Sequence, residues 1–204
     1  MAPPQRVPPV IFLDVDGVLH PTYGPTFFDA VSMSCLRAII ECTGAVIVLS
    51  SAWQVTPSGR AEVDAALARW GIPACVARTT TGTQVGSGEE KRAREIVAWV
   101  RSHGPAVASG WIAIDDLDLD SVCPPPSWAP VMPPNHFVKC NDAVGLTRAE
   151  AQRAVQLLGG KNPNAPKLPP PAQDHLTPIP RSPHEDKGRG HEVWKTDARY
   201  GGQA

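Results

Sequence analysis

In VIFLDVDGVLH, Asp14 and Asp16 stand two residues apart at the end of an apolar run, with Gly17 directly behind them. Residues i and i+2 of a strand face the same way, so both carboxylates can enter one site. Gly17 then lets the backbone turn sharply out of the strand. Carboxylates so placed can attack an electrophile, carry a proton or bind a hard cation. Two more apolar runs end in oxygen side chains. Ala45–Leu49 leads into Ser50 and Ser51, and Trp111–Ile114 leads into Asp115 and Asp116, with Asp118 and Asp120 behind. Four converging carboxylates repel one another unless a cation such as Mg²⁺ sits among them.

The elements that must position these residues alternate along the chain. Val10–Leu13, Ala45–Leu49 and Trp111–Ile114 read as strands buried on both faces, and a short strand is expected at Phe137–Val138. Helical spacing appears over Ala30–Cys42, Ala61–Trp70, Glu89–Val100 and Arg148–Leu158, the last opened by a Thr147/Glu150 capping-box pattern. Strand-helix alternation implies an α/β fold, an open parallel sheet covered by helices on both faces. Such sheets bind ligands beyond the carboxyl ends of their strands.

Composition narrows the classes further. A net charge of -1 over 204 residues leaves no bulk attraction for a polyanion, so a nucleic acid would be engaged locally. The five cysteines form neither a CxxC pair nor a zinc-finger spacing and read as reduced thiols. No apolar run approaches the roughly 18 residues of a membrane span, and a soluble, cytoplasmic protein without membrane association is expected. The 23 prolines crowd residues 1–9, 124–134 and the segment after Asn162. Residues 1–9 read as a short arm, 10–158 as the folded domain and 159–204 as a proline-rich tail, disordered for want of apolar residues. Trp194 and Tyr200 are the tail's candidate contacts for a protein partner. Its histidines, His175, His184 and His191, are too scattered for a metal site.

LDVDGVL resembles motif I (DxDG) of the haloacid dehalogenase (HAD) superfamily, VIVLSS its motif II and IAIDD its acidic motif IV. Together with the REI-type basic helix and FVKCNDAVGLT, VLSSAW looks like the capless HAD domains associated with RNA-repair proteins. The resemblance covers about residues 10–158 and implies a three-layer, Rossmann-like sheet with an Mg²⁺-dependent phosphohydrolase site. Asp14 would be the nucleophile, forming an aspartyl-phosphate, and Asp16 the general acid and base. Asp14, the backbone carbonyl of Asp16, and Asp116 with Asp115 would hold the metal, and Ser50 would bond a phosphoryl oxygen.

The superfamily also requires a motif III cation. Lys91, Arg92 and Arg94 are the candidates, and Arg92 lies on the apolar stripe of its helix, in the first turn, at the sheet's carboxyl edge. Where the narrower subfamily reads SSWR, this chain has Ser51-Ala52-Trp53-Gln54. Ser51 and Gln54 are expected at the substrate, with a donor kept and a charge lost. Trp53 is a base-stacking candidate but reads better as core, and His20 reads as a loop histidine. Only 33 residues separate Asp16 from Ser50, so no cap domain fits between them. An open site suits a phosphate at a nucleic-acid end. A phosphatase for a nucleotide or small metabolite, and a noncatalytic module that merely binds, are the rival readings.

Overall fold

The computed structural model describes residues 7–81, 86–107, 110–124 and 129–160, with the backbone of 179–180. In chain order the elements are β1 (Val10–Leu13), β2 (Thr26–Phe27), α1 (Ala30–Thr43), β3 (Val46–Leu49), α2 (Pro57–Arg69), β4 (Ala77–Arg78), α3 (Gly88–Ser102), β5 (Trp111–Asp115), β6 (Phe137–Lys139), α4 (Arg148–Leu157) and β7 (Ile179–Pro180). Five strands form one parallel sheet in the order β4-β3-β1-β5-β6. The central strand, β1, is buried along its whole length, which is why its sequence is an unbroken apolar run.

Strand alternation divides the core into two layers. Ile11, Leu13, Ile47, Leu49, Ile112 and Ile114 face the apolar stripes of α1, α2 and α4. Val10, Phe12, Val48 and Ala113 face α3 through Ala93 and Ile96. Phe12 anchors the second layer, its ring meeting Trp99 and Trp111 edge-on at 5.3 and 5.6 Å. Truncating a ring so enclosed costs about 3–5 kcal/mol.

Local chemistry sets the helix ends. Asp29 accepts the Val31 and Ser32 N–H groups at the start of α1, and Gly44, at φ 67°, ends it in the left-handed region that glycine tolerates. The expected Thr147/Glu150 capping box opens α4. Helix α2 begins at Pro57, four residues before the predicted start. Its entry signal is Thr56 capping the Gly59 N–H ahead of a first-turn proline, among residues with no apolar period. No α-helix joins β5 to β6 among the described residues, a departure from strict alternation that the prolines of 124–134 explain.

Strand register does the positioning. Leu13 lies level with Leu49 and Ile114, so Asp14, Ser50 and Asp115 emerge side by side at the carboxyl edge. Backbone bonds extend the ladder one step further, Ser50 N–H to Leu13 O (2.8 Å) and Asp14 N–H to Ile114 O (3.1 Å). The longest connection at this edge runs from 116 to 136, and no cap domain is seen among the described residues. A second, two-stranded sheet pairs β2 with β7, Phe27 opposite Ile179. Ile179–Pro180 is thus an exception within the tail expected to be disordered. The rest of that tail, with Trp194, Tyr200 and the three histidines, lies outside the described residues, as do residues 1–6 of the arm. No helix of the described residues is long and apolar enough to cross a membrane.

Candidate active site

Three strand ends and one helix build the site. Asp14, from the end of β1, is 6% exposed. Asp115, from β5, is buried, and Asp116 beside it is half-buried. One oxygen from each of these three carboxylates falls in a group whose members all lie within 4.8 Å of one another. The Asp16 side chain is not in that group; it turns toward the loop after β1.

Arg92 comes down from the first turns of α3 into this cluster. Its Nη1 lies 3.2 Å from Asp14 Oδ1, donates to Asp115 Oδ2 at 2.8 Å, and also donates to the Ser50 carbonyl. Burial alone would discharge the guanidinium, but Asp14, Asp115 and Glu95 outweigh it and hold its pKa above the usual value. Of the other two candidates, Arg94 pairs with Glu90 on its own helix, and Lys91 is half-buried.

Burial pushes the Asp115 carboxyl well above its ordinary range. Arg92 opposes that shift, while Asp14 and Asp116 reinforce it. Three carboxylates against one guanidinium leave the cluster short of positive charge. A divalent cation with oxygen ligands fits that deficit, and Asp14, Asp115 and Asp116 are the residues that would hold it.

Ser50 lies at the same edge, 1% exposed, and its hydroxyl has no hydrogen-bond partner. Buried polar groups are rarely left so, and an orphan hydroxyl among charged residues is poised for an incoming ligand oxygen.

Asp16 is held on the other side of the edge. Trp53 Nε1–H donates to its Oδ2 at 2.9 Å, and His20 Nε2 lies 3.0 Å from its Oδ1. Neither contact could be read from the sequence, because Trp53 is 37 residues away and His20 has the setting of an ordinary loop residue. Trp53 is buried, as the core reading expects, and its polar tip meets a carboxylate rather than a base.

Two residues expected at the substrate make hydrogen bonds beneath the surface. Ser51 Oγ accepts the Trp53 N–H (3.4 Å), capping the turn Ala52–Gln54. Gln54 is 4% exposed; its amide donates to the Leu49 and Thr79 carbonyls (2.9 and 3.1 Å) and accepts from Thr79 Oγ1 (3.0 Å). The donor assigned to substrate is therefore bonded to the backbone around β3 and β4.

Asp118 and Asp120 are exposed, and Asp118 pairs with Lys139. A cavity of about 580 Å³ borders the site at Asp116. Its wall carries Glu89, Asp118, Asp142 and Glu150 against Lys139. All five cysteines are free thiols. Burial raises Cys35 to about 11 and Cys75 to about 12, so neither is an available nucleophile.

Residues 10–151 match the family model described as the HAD domain in Swiss Army Knife RNA repair proteins. No curated protein and no solved structure matches the chain. The matched span takes in the whole five-stranded sheet and every carboxylate of its acidic edge, and the chain belongs to this family of HAD domains from RNA repair proteins.

Proposed function

We propose that this domain is a Mg²⁺-dependent phosphohydrolase that acts through an aspartyl-phosphate on a terminal phosphate of a nucleic acid. Membership of a HAD family supports hydrolase chemistry, and the observation that carries the reading is the orphan Ser50 hydroxyl level with Asp14. An Asp14 oxygen attacks phosphorus as the bond to the leaving oxygen breaks. Asp16 gives its proton to that oxygen, then takes one from the water that cleaves the aspartyl-phosphate and frees inorganic phosphate. Ser50 donates to a phosphoryl oxygen, and Arg92, 3.2 Å from Asp14, holds that carboxylate in place. A metal held by Asp14, Asp115 and Asp116 supplies charge stabilisation when bound. The complete set of Asp14, Asp16, Ser50, Arg92 and Asp116 speaks against a module that only binds. Five unpaired thiols fit a cytoplasmic setting.

The open edge supports a large substrate, because no cap encloses a small one. One observation favours the rival, a nucleotide or small metabolite: the acidic cavity at Asp116 would repel a phosphate chain laid along it. The test compares kcat/KM for 3′- and 5′-phosphorylated oligonucleotides with that for the matching mononucleotides, with Asp14→Asn as the control. Faster turnover of an oligonucleotide, abolished in Asp14→Asn and by EDTA, is the expected result. Equal or faster turnover of mononucleotides transfers the proposal to small metabolites, and robust activity of Asp14→Asn ends the aspartyl-phosphate mechanism.

A further inference from the structure

We infer that His20 and Trp53 are positioning residues that lock the Asp16 carboxylate, by one hydrogen bond to each oxygen, in the orientation that protonates the leaving group. The inference rests on the reading of Asp16 as the acid and base. Both partners come from outside the DxD strand end: His20 from the loop after β1, and Trp53 from the turn after β3.

His20 is fully buried, walled by the rings of Phe27, Phe28 and Trp53 at centroid distances of 5.0, 5.8 and 6.2 Å. Its Nδ1 accepts the Phe28 backbone N–H at 3.4 Å. A backbone N–H can only donate, so Nδ1 carries the lone pair and Nε2 carries the proton. Nε2–H then donates to Asp16 Oδ1, as the Trp53 indole donates to Oδ2. An indole N–H has no other role open to it.

The arrangement differs from that of Asp14 in kind. A guanidinium supports Asp14 with charge, whereas Asp16 is gripped by two rigid rings whose own positions are fixed by packing. A carboxylate on a single bond to Cβ is broadly free in its last torsion, and one donor per oxygen removes that freedom. The carboxyl is nevertheless 23% exposed and so reachable by substrate. Orientation of this kind matters most when the leaving oxygen needs a proton, and little when it departs as a stable anion.

That difference supplies the test. Steady-state kinetics on p-nitrophenyl phosphate, whose leaving group needs no proton, are set against a nucleoside 3′-phosphate, whose leaving alcohol does. The enzymes are wild type, Trp53→Phe (which keeps an aromatic ring but loses the N–H donor and part of the ring volume), His20→Leu and His20→Gln. Trp53→Phe and His20→Leu are expected to lower the ratio of alkyl to aryl kcat by about tenfold or more, against the 10²–10⁴ typical of general acid catalysis. His20→Gln, which retains a donor, should recover part of that ratio, with KM little altered. Equal losses on both esters in Trp53→Phe and His20→Leu would show a purely structural role and overturn the inference. An unchanged ratio in Trp53→Phe would overturn it too. Where the nucleoside 3′-phosphate is not turned over, a 3′-phosphorylated oligonucleotide, whose leaving group is likewise an alcohol, takes its place in the ratio; a wild type that turns over none of these esters removes the phosphohydrolase reading itself, and the inference with it.

Discussion

Gly17 and Asp116 are in contact so close that neither tolerates a larger neighbour. A Cβ built on Gly17 would stand 2.6 Å from Asp116 Oδ2 and 2.7 Å from its Cγ, and Gly17 sits at φ 71°. The glycine of the DxDG pattern therefore does two things at once: it turns the chain after β1 and leaves the space in which a carboxylate of β5's edge lies. Gly17→Ala should displace Asp116, strain the turn by about 1–2 kcal/mol, and lower Mg²⁺-dependent phosphate release by at least an order of magnitude. Retention of full activity in that variant would separate the turn from the site.

Ser50→Ala should divide stability from activity. The hydroxyl it removes is buried and unpartnered, so the variant is expected to be as stable as wild type, or more stable by about 1 kcal/mol. Phosphatase kcat/KM should nevertheless fall, because the proposed partner of the hydroxyl is the substrate. A lower melting temperature with unchanged kinetics would place Ser50 in the scaffold alone.

Metal binding can be read without turnover. Three clustered carboxylates gain a partner when Mg²⁺ binds the folded state, and ligand at a hundredfold excess over Kd stabilises by about 2.7 kcal/mol. Thermal unfolding should therefore shift upward by several degrees on adding Mg²⁺. Asp116→Asn should abolish most of the shift, since it removes a charge from the group. A shift of wild-type size in Asp116→Asn would assign the cation elsewhere.

The tail contributes one small contact to the described fold. The β2–β7 ladder spans two residue pairs, and Pro180 has no N–H to offer it. Removing residues 161–204 should lower the melting temperature by no more than about 4 °C, the change expected for roughly 1 kcal/mol in a chain of this size. A larger drop, measured calorimetrically on the truncated protein, would make the tail part of the domain.

Much of the acidic edge was legible because buried parallel strands leave a plain signature. Leu13, Leu49 and Ile114 close unbroken apolar runs, and the residues just past a fully buried strand are those the sheet presents to ligands. Arg92 was legible for a related reason, since a charge on an apolar stripe must meet other charges when the helix packs. Strands of two residues, β2 and β4, carried no period to detect.

What the chain determined by itself is the identity of the groups at each strand end, because alternation and burial are local properties. Only the tertiary structure decided which groups meet across long separations. It joined Trp53 and His20 to Asp16, brought Asp116 against Gly17, and bonded Gln54 to Leu49 and Thr79. Sequence spacing sets which way a strand residue faces. Side chains on turns and loops take the direction that satisfies their polar atoms, and those partners exist only once the sheet has assembled.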